Sequence, residues 1–266
     1  MIPQTIVRQL NHALRYAQRS SLVADNPTLC FITGFRSKFL ASKKAHYIYD
    51  LSVEQNCGFI TWDHVPDESV NKWFEDGCQV LETCTRGPLY LIGASMGLWL
   101  SLLIATRSQQ SLRTRVRGIL GIGGGVDFTE RWLQREVPEE HRSNRNYVWH
   151  RPSAYAEDGY YAIPIHTLLD SRPVLILDDP TSLDTLNCDV HLIHGQQDHD
   201  VDINHAWSLY QKLSSKTQRN RKLTLQVVPD GDHRLSRPQD LELVKSWLLA
   251  EAARQHWQNP GRLPAA

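Results

Sequence analysis

Short uninterrupted apolar runs alternate with stretches of helical periodicity along most of this chain. Residues 29–33 form such a run and stop at Gly34, and a helical pattern follows over 38–53. Residues 58–62 form the next run, after which Val70, Trp73, Phe74, Cys78 and Leu81 recur at helical spacing within 68–82. The run 89–93 leads into an apolar helical pattern, and the run 118–122 stops at Gly123-Gly124-Gly125. Residues 190–193 precede a helix around 203–213, and 223–228 precede a last helix from 238 to about 257. Runs without polar alternation are strands buried on both faces. The pattern therefore predicts an α/β fold, with a mostly parallel central sheet and helices on both faces.

The rhythm breaks over 127–187. That interval holds Trp132, Trp149, Tyr155, Tyr160 and Tyr161 together with prolines at 138, 152, 164, 173 and 180, and only 173–177 reads as a strand. A connection of this length between two strands is usually functional. It is expected to form a lid over the carboxyl ends of the strands, within one domain spanning 1–266. Its aromatic residues read equally as a ligand cover and as the lid's own small core. The tail 259–266 is expected to fray.

Charge and composition narrow the function. The chain has 266 residues, with 29 Lys and Arg against 29 Asp and Glu, which leaves no basic face of the kind that binds nucleic acid. Residues 87–106 carry no charge and approach the ~20 residues needed to cross a bilayer. Pro88, Gly93, Ser95 and Gly97 interrupt them, however, so a buried strand, a turn and a buried helix are expected in place of a membrane span. Residues 1–24 lack acids and carry Arg8, Arg15 and Arg19, as a mitochondrial transit peptide does, but read better as the first helix or strand of the domain. Cys30, Cys57, Cys78, Cys84 and Cys188 form no CxxC and no ligand cluster. A reducing compartment follows, the cytoplasm first and the mitochondrial matrix as the alternative, without structural disulfides or a cysteine-bound metal.

The segment Leu89-Tyr90-Leu91-Ile92-Gly93-Ala94-Ser95-Met96-Gly97-Leu98-Trp99 carries the chemistry. It is a Gly-x-Ser-x-Gly between a strand pattern and a helix pattern, which is where this motif has meaning. The sharp turn needs glycines at 93 and 97 to avoid collision, and it lifts the serine hydroxyl to a helix N-terminus, where the Met96 amide can stabilise an oxyanion. A serine hydroxyl needs a base, and the base needs an orienting acid. His233, in the loop between the last strand and the last helix, is the candidate base. His191 and His194 are too few for a metal site, and His12, His46, His64, His141 and His256 read as surface or helix residues. For the acid, Asp198, Asp200 and Asp202 crowd one loop after the 190–193 strand; position favours Asp198, with Asp200 and Asp202 as helix caps. Gly34 and the Phe35 amide stand where a second oxyanion donor is needed. Gly121–Gly125 matches neither a Rossmann nor a P-loop spacing, and is read as close approach to the site or as packing.

These residues together resemble the α/β-hydrolase superfamily over essentially the whole chain. Within it, the chain looks most like the subgroup of the mitochondrial acyl-protein thioesterase that also cleaves acyl glucuronides, with its bacterial relatives. The resemblance is carried by Ile32-Thr33-Gly34-Phe35-Arg36-Ser37, the serine motif, the run from Trp149 to Tyr161, His194-Gly195 with Asp198, and Asp232-His233-Arg234. It implies a cofactor-free, metal-free serine hydrolase of esters or thioesters, acting on a small molecule or an acylated protein through Ser95, His233 and Asp198. The other functional class compatible with the fold is an inactive ligand-binding protein. One departure stands out: relatives carry Asp-x-x-Gly-x-Gly-x-Ser after the second central strand, whereas Asp63-His64-Val65-Pro66-Asp67-Glu68-Ser69 has no glycine. That loop is expected to line the pocket.

Overall fold

In a computed structural model, residues 1–10, 14–23, 25–215 and 221–257 are described. The expected frayed tail 259–266 and the reading of His12 lie outside these residues. The chain opens with β1 (Val7–Leu10) and β2 (Leu14–Arg19), so the acid-free N-terminal stretch supplies strands of the domain. Then come β3 (Thr28–Ile32), α1 (Lys43–Glu54), β4 (Gly58–Trp62), α2 (Val70–Cys84), β5 (Leu89–Ala94) and α3 (Met96–Arg107). The short α4 (Gln110–Arg113) leads to β6 (Val116–Ile122). The long interval contains α5 (Phe128–Arg135), β7 (Val148–Pro152), β8 (Tyr160–Pro164) and α6 (Ile165–Leu169). The chain then returns through β9 (Asp189–Gly195), α7 (Ile203–Ser215), β10 (Leu223–Val228) and α8 (Pro238–Arg254).

Eight strands form one sheet in the order β1-β2-β4-β3-β5-β6-β9-β10. It is parallel from β4 to β10, and antiparallel where β2 meets β4 and β1 meets β2. The register puts Ile32 beside both Trp62 and Gly93, Ala94 beside Ile122, and Ile122 beside Ile193, so the carboxyl ends of the central strands line up along one edge. In open α/β sheets this edge is where ligands bind.

Both faces are covered, which explains the unbroken apolar runs. Along β3, Cys30 and Ile32 join one core with Trp62, Leu98 and Trp99, while Leu29 and Phe31 join the other with Ile48, Phe59 and Leu248. Ser42 and Ser69 cap α1 and α2 by accepting from the amides of Ala45 and Lys72, each at 3.2 Å, and so set where these helices begin. The expected helix at 38–53 accordingly starts only at Lys43, after a single 3₁₀ turn at Phe39–Ala41.

The 127–187 interval differs from expectation in two ways. Residues 173–177 are not a strand: Arg172–Val174 make a 3₁₀ turn, and the amides of Ile176 and Leu177 donate to the Asp127 carboxylate at 2.6–3.0 Å instead of to a ladder. The strands of the interval are β7 and β8, an antiparallel pair that places Trp149 opposite Ile163. Trp149, Ile163, Ile165 and Leu168 are buried in the same core as α3.

Candidate active site

Ser95 occupies the turn between β5 and α3 at φ 52°, ψ −119°, a strained conformation for a residue with a side chain. Its neighbours leave no alternative to glycine. A Cβ on Gly93 would fall 2.3 Å from the Gly97 carbonyl, and one on Gly97 would fall 2.1 Å from the Ile32 carbonyl oxygen. The Ser95 amide donates to the Ile122 carbonyl at 2.9 Å, tying the turn to β6. On the other side the turn after β3 presses close, since a Cβ on Gly34 would lie 3.2 Å from that of Ser95. The amides of Phe35 and Met96, the two candidate oxyanion donors, donate to no group among the described residues.

The structure brings His233 and Asp198 to Ser95 from two separate loops. His233 Nε2 is 3.1 Å from Ser95 Oγ, and Nδ1 is 2.8 Å from Asp198 Oδ2. With the ring protonated on Nδ1, it donates to the carboxylate and its Nε2 accepts from the serine hydroxyl. Asp198 is buried, and its other oxygen accepts from the amides of Asp200 at 2.9 Å and Val201 at 2.8 Å. Burial opposes the charge, but the bond and charge of His233, the Val201 amide and nearby His194 outweigh it and hold the carboxyl below the usual aspartate range. The loops lock together closely: a Cβ on Gly195 would lie 2.3 Å from the Gly231 carbonyl oxygen. Gly123, at φ 54°, leaves no room for a side chain beside the triad: a Cβ there would fall 2.7 Å from the His233 carbonyl oxygen, 3.6 Å from His233 Nδ1 and 3.7 Å from Asp198 Oδ2. Gly121 and Gly124 make room for Leu98. Close approach and packing both operate in this glycine run.

His194 was a signal the sequence pattern left unused. It is buried, donates from Nε2 to the Val201 carbonyl at 2.8 Å, and lies 3.4 Å from Asp198 Oδ2. Asp202 matches its expected capping role, accepting from the Asn204 amide at 2.7 Å. Asp200 does not: its carboxylate accepts from the Tyr155 hydroxyl at 2.8 Å, joining the acid loop to the 127–187 interval. Burial first, then this bond, pushes the Tyr155 phenol up to about 12. Asp198, Asp200 and His233 could offer a cation three atoms within 4.8 Å of one another, but an ion there would take atoms already bonded to protein partners.

His64 is also corrected. It is buried beneath the site, with ring centroids of Trp62 and Trp73 at 6.4 and 5.7 Å and Nε2 at 3.2 Å from the Thr33 carbonyl. Burial pushes its pKa down to about 4, so it is neutral at pH 7. The glycine-less loop containing it does not line the cleft. It braces the neighbouring turn instead: Asp63 pairs with Arg15 at 2.9 Å and accepts from the Phe39 amide at 2.9 Å.

Above Ser95 opens a cleft of about 850 Å³. The Phe35 ring is the centre of one wall, edge-on to Trp132 at 5.5 Å, Tyr161 at 5.8 Å and Phe128 at 5.9 Å. Trp132 and Trp149 are both buried in one core, their ring centroids 6.0 Å apart, and of the two Trp132 also lines the cleft. Of the two readings of these tryptophans, core fits both, and Trp132 alone of the pair also faces the cleft.

No family model matches the chain. The rat protein palmitoyl-protein thioesterase ABHD10, mitochondrial, is 25% identical over 233 residues, 84% of this chain and 74% of the relative. Its human counterpart is 22% identical over 233 residues, 84% and 72% of the two chains. A crystal structure described as a hydrolase from Agrobacterium vitis S4 superposes with TM-score 0.78 at 26% identity, covering 92% of this chain and 95% of that one. Mouse alpha/beta hydrolase domain-containing protein 10 gives TM-score 0.76 at 21% identity, with 94% and 98% covered. Est1E from Butyrivibrio proteoclasticus gives 0.73 at 16%, with 93% and 98% covered. The chain has the α/β-hydrolase fold and is similar over most of its length to the palmitoyl-protein thioesterases of that superfamily.

Proposed function

We propose that this protein hydrolyses carboxylic esters or thioesters through a Ser95–His233–Asp198 triad and a covalent acyl-enzyme. The observation that carries the reading is the unbroken chain of contacts from Ser95 Oγ through His233 to buried Asp198, at the floor of an open cleft. Ser95 Oγ attacks the acyl carbonyl carbon as its proton passes to His233 Nε2, and the carbonyl electron pair moves to oxygen. The free amides of Phe35 and Met96 stabilise that oxyanion. Collapse expels the alcohol or thiol, which takes the proton from His233. Water then repeats the sequence on the acyl-serine and releases the acid. Asp198 keeps the imidazole in the tautomer that accepts from serine and stabilises the imidazolium.

The substrate is a small acyl ester or thioester or an acylated protein. The 127–187 interval acts as a lid, and the aromatic wall around Phe35 receives an apolar acyl group, which agrees with relatives named for palmitoyl-protein. Those relatives are mitochondrial by name, which favours the matrix over the cytoplasm. No helix among the described residues is long and apolar enough to cross a membrane. The test is a series of p-nitrophenyl esters and S-acyl thioesters of graded chain length, with Ser95→Ala as control. Hydrolysis that falls by at least ~10³ in the variant supports the reading, and equal rates in both proteins overturn it.

A further inference from the structure

Eight lysine or arginine side chains line the cleft against three carboxylates. Some of this charge is already engaged. Arg36 pairs with Asp67 at 2.6 Å, Arg151 with Glu136 at 3.1 Å, and Arg237 with Asp230 at 2.7 Å and Asp240 at 2.8 Å. Arg131 donates to the Asp200 carbonyl at 3.3 Å. Lys38, Lys43, Lys44 and Arg234 also line the cleft and form no ion pair among the described residues.

Lys44 is the most telling of these. Its ammonium donates to the Arg234 carbonyl and, at 3.0 Å, to the Ser236 hydroxyl, both neutral acceptors. Burial pushes its pKa down to about 8, with Asp232 and Asp240 opposing the shift and Arg234 adding to it. An ammonium desolvated this far without a carboxylate contact gains from any anion that reaches it. The Arg234 guanidinium lies 4.7 Å above the Tyr155 ring, and its donors form no hydrogen bond among the described residues. Lys43 and Lys44 open α1, whose N-terminal dipole adds to their charge.

Position assigns these cations a role. Arg234 follows His233 in sequence, and in the reaction above His233 delivers a proton to the departing atom. With the leaving group on the cations, the aromatic wall around Phe35 receives the acyl group. A single carboxylate would answer one of the four charges; a phosphorylated group answers several.

Resting on the hydrolase reading, we infer that Lys38, Lys43, Lys44 and Arg234 bind a leaving group carrying several phosphate charges, so that the preferred substrates are acyl thioesters or esters of phosphorylated thiols or alcohols. The bond broken is still the acyl–sulfur or acyl–oxygen bond. The departing atom takes its proton from His233, and the phosphates only bind.

The test compares kcat/KM for butyryl-coenzyme A and butyryl-pantetheine, which share acyl group and thiol and differ in the phosphorylated adenosine. Butyryl-phosphopantetheine isolates one phosphate, and the butyryl thioester of 3-mercaptopropionate presents one carboxylate. The expected result is a preference of at least ~10-fold for the coenzyme A thioester at low salt, shrinking towards parity near ~0.5 M NaCl. Lys44→Gln and Arg234→Gln should each lower the ratio of coenzyme A to pantetheine thioester by ~3-fold or more. The pair Lys38→Gln/Lys43→Gln, both at exposed positions, gives the same readout. Equal rates on all the thioesters, a carboxylate thioester favoured as much as coenzyme A, or a ratio unmoved by the substitutions would overturn the inference. If p-nitrophenyl butyrate is hydrolysed while the thioesters are not discriminated, only this inference fails. If nothing is hydrolysed, the hydrolase reading fails and takes it along.

Discussion

Replacing Asp198 by Asn isolates the orientation of the imidazole from everything else in the site. One carboxylate oxygen accepts from the amides of Asp200 and Val201, and an asparagine oxygen can keep both bonds. The other oxygen, 2.8 Å from His233 Nδ1, would become an NH₂ group facing that nitrogen. Two donors cannot bond, so the ring turns to the tautomer protonated on Nε2, which cannot accept the Ser95 proton. A wrong-tautomer triad loses ~10⁴ in kcat, or ~5.5 kcal/mol of transition-state stabilisation. The fold should lose only the one charge-assisted bond, ~1.5–3 kcal/mol. Asp200→Asn is the matched control, because among the described residues that carboxylate bonds only to the half-exposed Tyr155 hydroxyl, and amide replacement should leave kcat within ~5-fold. The assay is kcat on p-nitrophenyl butyrate for the three proteins, with near-ultraviolet circular dichroism to confirm folding. An Asp198→Asn protein within tenfold of the parent, or an Asp200→Asn protein as damaged as Asp198→Asn, would refute the assignment.

Gly34→Ala puts a methyl 3.2 Å from the Ser95 Cβ and 3.3 Å from the Ala94 carbonyl, and should lower kcat by ~10-fold or more while the Tm moves by only a few degrees; unchanged kcat would remove the β3 turn from the oxyanion site. Against esters of increasing acyl length, kcat/KM should rise by up to ~4-fold per methylene until the pocket is full. Trp132→Ala should flatten that rise more than Trp149→Ala, since only Trp132 faces the cleft; the reverse order would misplace the acyl wall. Asp127 is pushed up to about 6, mainly by burial, so its folded form holds a proton more tightly than its unfolded form. Its contribution is full below the unfolded value of ~4 and is lost as pH rises through about 6, so stability should fall by ~2–3 kcal/mol across that window. Urea titrations from pH 4 to 7 should show this slope, and Asp127→Asn should abolish it.

What could be read in advance follows from how local its physical cause is. The Gly93–Ser95–Gly97 turn was legible because each glycine answers a collision within one strand–turn–helix unit. The contact of Asp198 with His233 could be anticipated from the offset of Asp198 from the end of β9, but the tie from Asp200 to Tyr155 could not, because it joins loops 45 positions apart. Residues 173–177 have the composition of a strand, yet Asp127, 49 and 50 positions upstream, claims the amides of Ile176 and Leu177. The β7–β8 pair escaped notice because it is a small sheet of its own, with Val148, His150, Tyr160 and two prolines on its open face and Trp149 and Ile163 on the buried one. The cation cluster escaped because Lys38, Lys43 and Lys44 precede Arg234 by roughly 190 positions, and only the fold brings them to one cleft.

The proposed hydrolysis requires Ser95 Oγ as the atom that takes up the acyl group. Treating the protein with a stoichiometric fluorophosphonate and measuring intact mass, then mapping the modified peptide, tests that directly. One adduct per chain on Ser95, formed in step with loss of ester hydrolysis and absent from Ser95→Ala, is the predicted result. No adduct on folded protein, an adduct on another residue, or undiminished hydrolysis by Ser95→Ala would contradict it.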